Sequence, residues 1–166
     1  MTDMKIFFNK DKAIILAFNL IAREEDLKLL AYQDNKGIWT IGYGSTFVDG
    51  KKVTEGMVCT KEQAKIWFLQ TLKNVCENLY SFCEKHTIYL EDNQSSASIS
   101  FIYNAGFTAF LNSSMARDLI AGKIEKVTSD FMKWVYITIN EKLVFSVGLF
   151  NRRMEESQCF VDEKRC

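Results

Sequence analysis

The chain predicts an α+β fold that is mainly helical, with one small antiparallel β-sheet in its N-terminal third. Three observations carry this reading. Apolar residues recur at helical spacing through two segments, Ala13 to Ala22 and Ile66 to Leu79. Two short aromatic and apolar runs, Leu29 to Tyr32 and Ile38 to Tyr43, flank the turn-forming Gln33-Asp34-Asn35-Lys36-Gly37. Composition is the third: 166 residues, 48% hydrophobic and 13% aromatic, suffice to bury a core in one domain or in two small lobes that share one.

Taken in order, Asp11 is placed to cap a helix whose apolar positions are Ile14, Ile15, Phe18, Ile21 and Ala22 and which ends near Glu25 and Asp26. The two short runs then form a hairpin, and a third strand near Lys51 to Thr54, after the Asp49-Gly50 turn, completes the sheet. Thr60-Lys61-Glu62-Gln63 has capping-box spacing and opens a helix to about Tyr80 with a buried stripe of Ile66, Trp67, Leu69, Leu72, Val75, Cys76 and Leu79. Helices over Asp92 to Tyr103, ended by Gly106, and over Ser114 to Ala121, stopped by Gly122, follow. Two more fit Ile124 to Val135 and Ser146 to Val161, so the remainder reads as all-helical. The domain thus divides into an N-terminal lobe at about residues 12–60, a connecting helix at 61–80 and a helical lobe at 81–166.

Charge excludes one class of partner. Lys plus Arg and Asp plus Glu both count 21, so no global positive field or basic stripe recommends nucleic acid. Neither Ile6-Phe7-Phe8 nor the ten residues Ala13 to Ala22 is long enough to span a bilayer or organised as a signal peptide. Synthesis in a cytoplasm, without a self-encoded export signal, is the expectation. The five cysteines, Cys59, Cys76, Cys83, Cys159 and Cys166, are odd in number and lack a C-x-x-C pair, which predicts reduced thiols, with Cys76 and Cys83 packed on one helix face. The single histidine, His86, has no partner at zinc spacing, so no metal or cofactor is expected and a solvated loop position is its reading.

Chemistry concentrates between Leu20 and Thr46. Glu25, Asp34 and Thr40 set two carboxylates and a hydroxyl around one turn in an aromatic, glycine-punctuated segment. Cleaving a glycosidic bond needs one protonated carboxyl for the leaving oxygen and a second, ionised group to organise the attacker. Each residue alone has an ordinary local reading, as a helix-end acid, a turn residue and a strand residue. Glu24 adjoins Glu25, and a helix turns about 100° per residue, so only one of the two faces a cleft.

The wider pattern resembles the phage-type lysozymes, the muramidase family of bacteriophage endolysins. Glu25, Asp34 and Thr40 show the E-x8-D-x5-T spacing, within Ala31-Tyr32-Gln33-Asp34 and Trp39-Thr40-Ile41-Gly42-Tyr43-Gly44. Gly56-Met57 with Thr60-Lys61-Glu62-Gln63-Ala64, Asn93-Gln94, Tyr103-Asn104-Ala105-Gly106 and Gly148-Leu149-Phe150-Asn151-Arg152-Arg153-Met154-Glu155-Glu156 follow in family order. The resemblance implies a lysozyme-like fold and an inverting hydrolysis of the β-1,4 bond between N-acetylmuramic acid and N-acetylglucosamine in the peptidoglycan glycan strand.

It further implies Glu25 as general acid, selected over Glu24 by spacing, and Asp34 as the ionised group that orients water with the Thr40 hydroxyl as its partner. Arg152 reaches the acid, Asn104 bonds sugar through its amide, and Tyr103 stacks on it. A monomer is implied, made in a bacterial cytoplasm from phage or prophage genes and acting on the wall in the periplasm after release, or else delivered as a secreted antibacterial effector. A catalytically inactive wall-binding module and a lytic transglycosylase are the alternatives; Asp34 favours hydrolysis over both. The chain departs from the family at four places: Asp26 and Ser45 where glycine and histidine are usual, and Glu55 and Val147 in place of prolines. Asp26 brings a Cβ and a charge beside the acid, and Ser45 costs local stability.

Overall fold

The computed structural model describes residues 6–166. Helix α1 (Lys10–Glu24) is capped by Asn9, whose Oδ1 accepts from the Lys12 amide at 3.1 Å; Asp11 instead lies in the first turn, where its charge complements the helix dipole. The cap is two residues earlier than expected because Asn9 is the last residue with extended backbone. Ala13, Ala17, Leu20 and Ile21 face inward.

Strands β1 (Lys28–Gln33) and β2 (Trp39–Gly42) pair antiparallel, with Tyr32 opposite Thr40 and Gln33 opposite Trp39, across a turn in which Gly37 takes a φ of +74°. The expected third strand does not join them. Strands β3 (Phe47–Val48) and β4 (Lys51–Lys52) form a separate hairpin whose turn residues Asp49 and Gly50 are both left-handed. Gly42 and Gly44, both at positive φ, fold the chain back so that Ser45 bridges Ile41, and this turn removes the chain from the first sheet before β3 begins.

Helix α2 (Lys61–His86) opens on the capping box of Thr60 and Gln63 and runs six residues past Tyr80. Its buried side is Ala64, Phe68, Leu72, Cys76, Leu79, Phe82 and Cys83. The expected stripe is therefore rotated: Ile66 is 65% exposed, and Trp67 lies at the edge, donating to Asp49 Oδ1 at 3.0 Å. Both faces carry apolar residues at helical spacing, and Phe68, packed on Phe18, Tyr43 and Tyr103, decides between them. His86 is the last residue of this helix, tilted against Phe82, and not a loop residue.

Helix α3 (Asp92–Ala105) is the buried axis, packed between α1, α2 and the last long helix. Four serines lie inside it: Ser95, Ser96 and Ser98 return their hydroxyls to carbonyls of the preceding turn, and Ser100 donates to Glu156. Gly106, at a φ of +95°, ends it. Helices α4 (Phe107–Leu111), α5 (Ser114–Ile120) and α6 (Ile124–Phe131) follow, then α7 (Val147–Val161) capped by Ser146.

The remainder is not all-helical. Strands β5 (Tyr136–Ile139) and β6 (Lys142–Phe145) form a hairpin that ends α6 before Val135. Tyr136-Ile137-Thr138-Ile139 has β-branched alternation, and Asn140 and Glu141 at φ of +47° and +63° make the tight turn. The cysteine expectation also fails in part. Cys159 and Cys166 form a disulfide, because the 3-10 turn Glu163–Arg165 doubles the C-terminus back on α7 and brings their Cα atoms to 4.6 Å. Cys76 and Cys83 are buried free thiols as expected, and Cys59 is free and half-buried.

Candidate active site

The two lobes face each other across a cleft of about 850 Å³. The β-hairpins supply one wall, with Tyr32, Asp34, Thr40, Gly44 and Phe47; α2 supplies the floor with Thr71, Val75 and Asn78; the end of α3 and start of α4 supply Tyr103, Asn104 and Phe107. Glu25 lies in the same cleft, as the C-cap of α1. All three residues of the E-x8-D-x5-T pattern therefore meet at one place, because the end of a helix and the two strands of the next hairpin converge there.

Glu25 is held from behind. Its side chain is 26% exposed, and its Oε1 accepts from Arg152 Nη1 at 2.8 Å. Arg152, on α7, is itself buried, lies over the Tyr103 ring and directs its Nε toward Glu156 Oε1 at 3.4 Å. Glu156 is fully buried. It accepts from Ser100 Oγ at 2.7 Å and pairs with Arg153, Nε to Oε2 at 2.6 Å and Nη2 to Oε1 at 2.9 Å. Arg153 Nη2 also donates to Asn104 Oδ1 at 3.0 Å, which leaves the amide nitrogen of Asn104 as its donor for the cleft. One buried ion-pair network thus orients both the acid and a wall residue. Burial pushes the Glu156 carboxyl up, and the charges of Arg153 and Arg152 oppose it.

Tyr103 is a fixed wall. Its hydroxyl donates to the Tyr43 carbonyl at 2.5 Å and its ring meets Phe68 edge-on. Burial, and after it the Glu25 carboxylate, push its phenol far up, so it stays a neutral donor. Gly44 is needed beside it. A Cβ there would lie 3.3 Å from the Tyr103 hydroxyl and 3.5 Å from Glu25 Oε2, at a φ of +91°.

The Asp34–Thr40 contact expected from the sequence is absent. Asp34 Oδ1 accepts from the Lys36 and Ile38 amides at 2.8 and 2.9 Å, closing its own turn, and the Thr40 hydroxyl donates to the Ile38 carbonyl at 3.0 Å. Short side chains in turns satisfy nearby backbone first. Asp34 and Thr40 still share the cleft, with Asp34 half-buried and Thr40 buried.

Glu24 is outside the cleft lining, half-buried against Glu155, and burial and the Glu155 charge raise its carboxyl. The choice of Glu25 over Glu24 as the cleft-facing acid agrees with this placement. Asp26 causes less disturbance than expected: its side chain is 91% exposed, 3.8 Å from Lys28 Nζ, and its φ is not left-handed, so glycine is not required there. At Ser45 reciprocal backbone hydrogen bonds with Ile41, at 2.8 and 2.9 Å, hold the turn. Sequence reasoning gave no role to Gly44, Glu156 or Ser100. The two glycines bracketing Tyr43 and the run of acids after Arg153 were the available signals.

A mainly helical fold with a small β-lobe across such a cleft is lysozyme-like. An endolysin from Escherichia coli O157:H7 phage FAHEc1 superposes with a TM-score of 0.82 at 30% identity, covering 98% of both chains. The muramidase domain of SpmX from Asticaccaulis excentricus superposes with a TM-score of 0.79 at 28% identity, covering 88% of this chain and 95% of that one. In sequence, an endolysin of Acyrthosiphon pisum secondary endosymbiont phage 1 is 35% identical over 141 residues, 85% of this chain and 92% of that protein.

The phage lysozyme family pattern matches residues 22–156. The chain belongs to the phage lysozyme family and is a lysozyme-type glycosidase that lyses peptidoglycan. Among the described residues no helix is long and apolar enough to cross a membrane.

Proposed function

We propose that the enzyme hydrolyses the β-1,4 bond between N-acetylmuramic acid and N-acetylglucosamine with inversion, using Glu25 as general acid and Asp34 as the carboxylate that orients water. The observation that carries this is the placement of Glu25, pinned by Arg152 at 2.8 Å yet open to the cleft that Asp34 and Thr40 line. An inverting mechanism needs an acid on one side of the bond and an ionised group with room for water on the other. Asp34 has one oxygen committed to its turn and keeps the second for that water. Asn104 donates its amide to sugar, and Tyr103 and Gly44 keep the acid's surroundings rigid and free of side-chain bulk. The protein is made in a host cytoplasm and works on the wall beyond the inner membrane, an oxidising location in which the Cys159–Cys166 disulfide persists.

The test is release of reducing ends from purified sacculi by wild type, Glu25→Gln and Asp34→Asn, with sacculus binding followed in parallel and products identified by mass spectrometry. Reducing muropeptides from wild type, reduced at least a hundredfold in Glu25→Gln with binding retained, are the expected outcome. Binding without release by wild type would establish an inactive module, and anhydro products a transglycosylase.

A further inference from the structure

Strand β3 turns its two residues to opposite sides of its hairpin, as successive strand residues must. Val48 enters the small core of the β-lobe with Ala31, Ile41 and Val53, so Phe47 points the other way, into the cleft, and is 59% exposed. The hairpin that carries it is anchored. The Val53 amide donates to the Thr46 carbonyl at 2.9 Å, and Trp67 of α2 donates to Asp49 in the hairpin turn. Phe47 itself joins neither apolar cluster of the core. Of the other aromatic residues lining the cleft, Tyr103 carries Arg152 over its ring, Phe107 stacks on Phe110 and Tyr32 sits opposite Thr40 in the β1–β2 sheet. The Phe47 ring is therefore held in place, faces the cleft and is committed to nothing within the protein.

We infer that Phe47 is a saccharide-stacking residue, whose ring receives the apolar C–H face of a pyranose of the glycan strand and so sets affinity for that strand. This rests on the reading of the cleft as the glycan site. Among the described residues no Lys, Arg or His lines the cleft, which holds the carboxylates of Glu25 and Asp34 instead, so affinity has to come from hydrogen bonds and apolar contact. Hydrogen bonds to sugar hydroxyls replace bonds to water and contribute little net, whereas the C–H face and the N-acetyl methyl of a pyranose gain by leaving water. An aromatic surface beside a few placed polar groups, here Asn104 and Asn78, is the common make-up of a ligand site. With a fully exposed ring on the order of 200 Å², covering half of what Phe47 exposes removes roughly 60 Å² from water, which corresponds to about tenfold in affinity. Phenylalanine has neither charge nor proton to offer, so the contact is equal in ground and transition states, and its loss appears in KM and not in kcat.

Initial rates of reducing-end release from soluble, uncross-linked glycan strands test this, with KM and kcat determined separately. Phe47→Ala is expected to raise KM about tenfold with kcat retained. Phe47→Leu keeps apolar volume without a flat face and is expected to raise KM several-fold, while Phe47→Tyr restores the ring and the wild-type KM. Leu143→Ala removes a bare apolar side chain outside the cleft and is expected to match wild type in both constants. Thermal unfolding of all four variants is expected to follow wild type, because neither side chain belongs to a core cluster. Calorimetric titration of Glu25→Gln with the same strands, with and without Phe47→Ala, reads the contact in the absence of turnover, and the double variant is expected to bind about tenfold more weakly. An unchanged KM or dissociation constant for Phe47→Ala overturns the inference, as does Phe47→Leu equal to wild type or a loss confined to kcat. Absence of reducing ends from wild type would sink the muramidase reading alone, and the calorimetric pair would still decide for or against Phe47.

Discussion

Replacing Glu156 by glutamine removes one charge from a site that solvent does not reach. The carboxylate meets Arg153 at 2.6 and 2.9 Å, Arg152 at 3.4 Å and Ser100 at 2.7 Å, and Arg153 is only 1% exposed. In the wild type two guanidiniums face two carboxylates, Glu25 and Glu156; in Glu156→Gln they face one, which itself lies toward the cleft. Leaving a buried charge without its partner costs about 3–5 kcal/mol, and the glutamine keeps volume and the serine contact, so the lower end applies, about 3 kcal/mol. For a chain of this size that is a fall in Tm of roughly 6–12 °C. Urea and thermal unfolding at neutral pH measure it. Activity falls as well, because Arg152 loses its second anchor and Arg153 its hold on Asn104. The cycle with Arg153→Met isolates the pair: the double variant Arg153→Met/Glu156→Gln should lose less stability than the sum of the two single substitutions. A loss under about 1 kcal/mol for Glu156→Gln, or simple additivity of the two substitutions, would refute the network as the support of the site.

Gly44→Ala is expected to cost on the order of 1–3 kcal/mol, from a left-handed φ and a Cβ 3.3 Å from Tyr103, and to reduce kcat by displacing Glu25; wild-type rates in a folded variant would contradict this. Burial and the Glu155 charge raise Glu24, so its contribution to stability is complete below the ordinary carboxylate range and is lost as pH rises through the raised value. Glu24→Gln should therefore leave Tm unchanged near about pH 3.5 and raise it at about pH 7, and equal shifts at the two values would count against it. Burial pushes the Cys76 and Cys83 thiols up to about 12, so alkylation of the folded protein at neutral pH should label Cys59 alone, with all three modified after denaturation. Reduction of Cys159–Cys166, which closes a short loop, should lower stability by about 2.5 kcal/mol in chemical unfolding.

Local signals read well where the residue's own neighbours settle its state. Thr60 and Gln63 cap each other over three residues, and Gly106 ends α3, both as the sequence indicates. Glu25, Asp34 and Thr40 converge because a helix end and a tight hairpin leave the chain few other paths. The failures lie where two local answers were nearly equal. The apolar residues of α2 fit two overlapping stripes, and the packing of Phe68 chose one. Asp34 could bond Thr40 or its own turn, and the nearer backbone amides won. The hairpin at residues 136–145 lies between the two expected helices, in a stretch whose strands go unsignalled because Asn140-Glu141 lacks the glycine that usually marks such a turn.

By itself the sequence determined the α+β class, most helix ends, the β1–β2 hairpin and the nearness of Glu25, Asp34 and Thr40, since all of these follow from spacing and turn chemistry over short stretches. Only the tertiary structure decided that Glu156 and Ser100 sit behind the acid, that Arg153 orients Asn104, that Cys159 meets Cys166 and that the last hairpin stands uncovered. Those facts depend on distances between segments remote in the chain, and periodicity within one segment carries no information about the face that another segment presents to it.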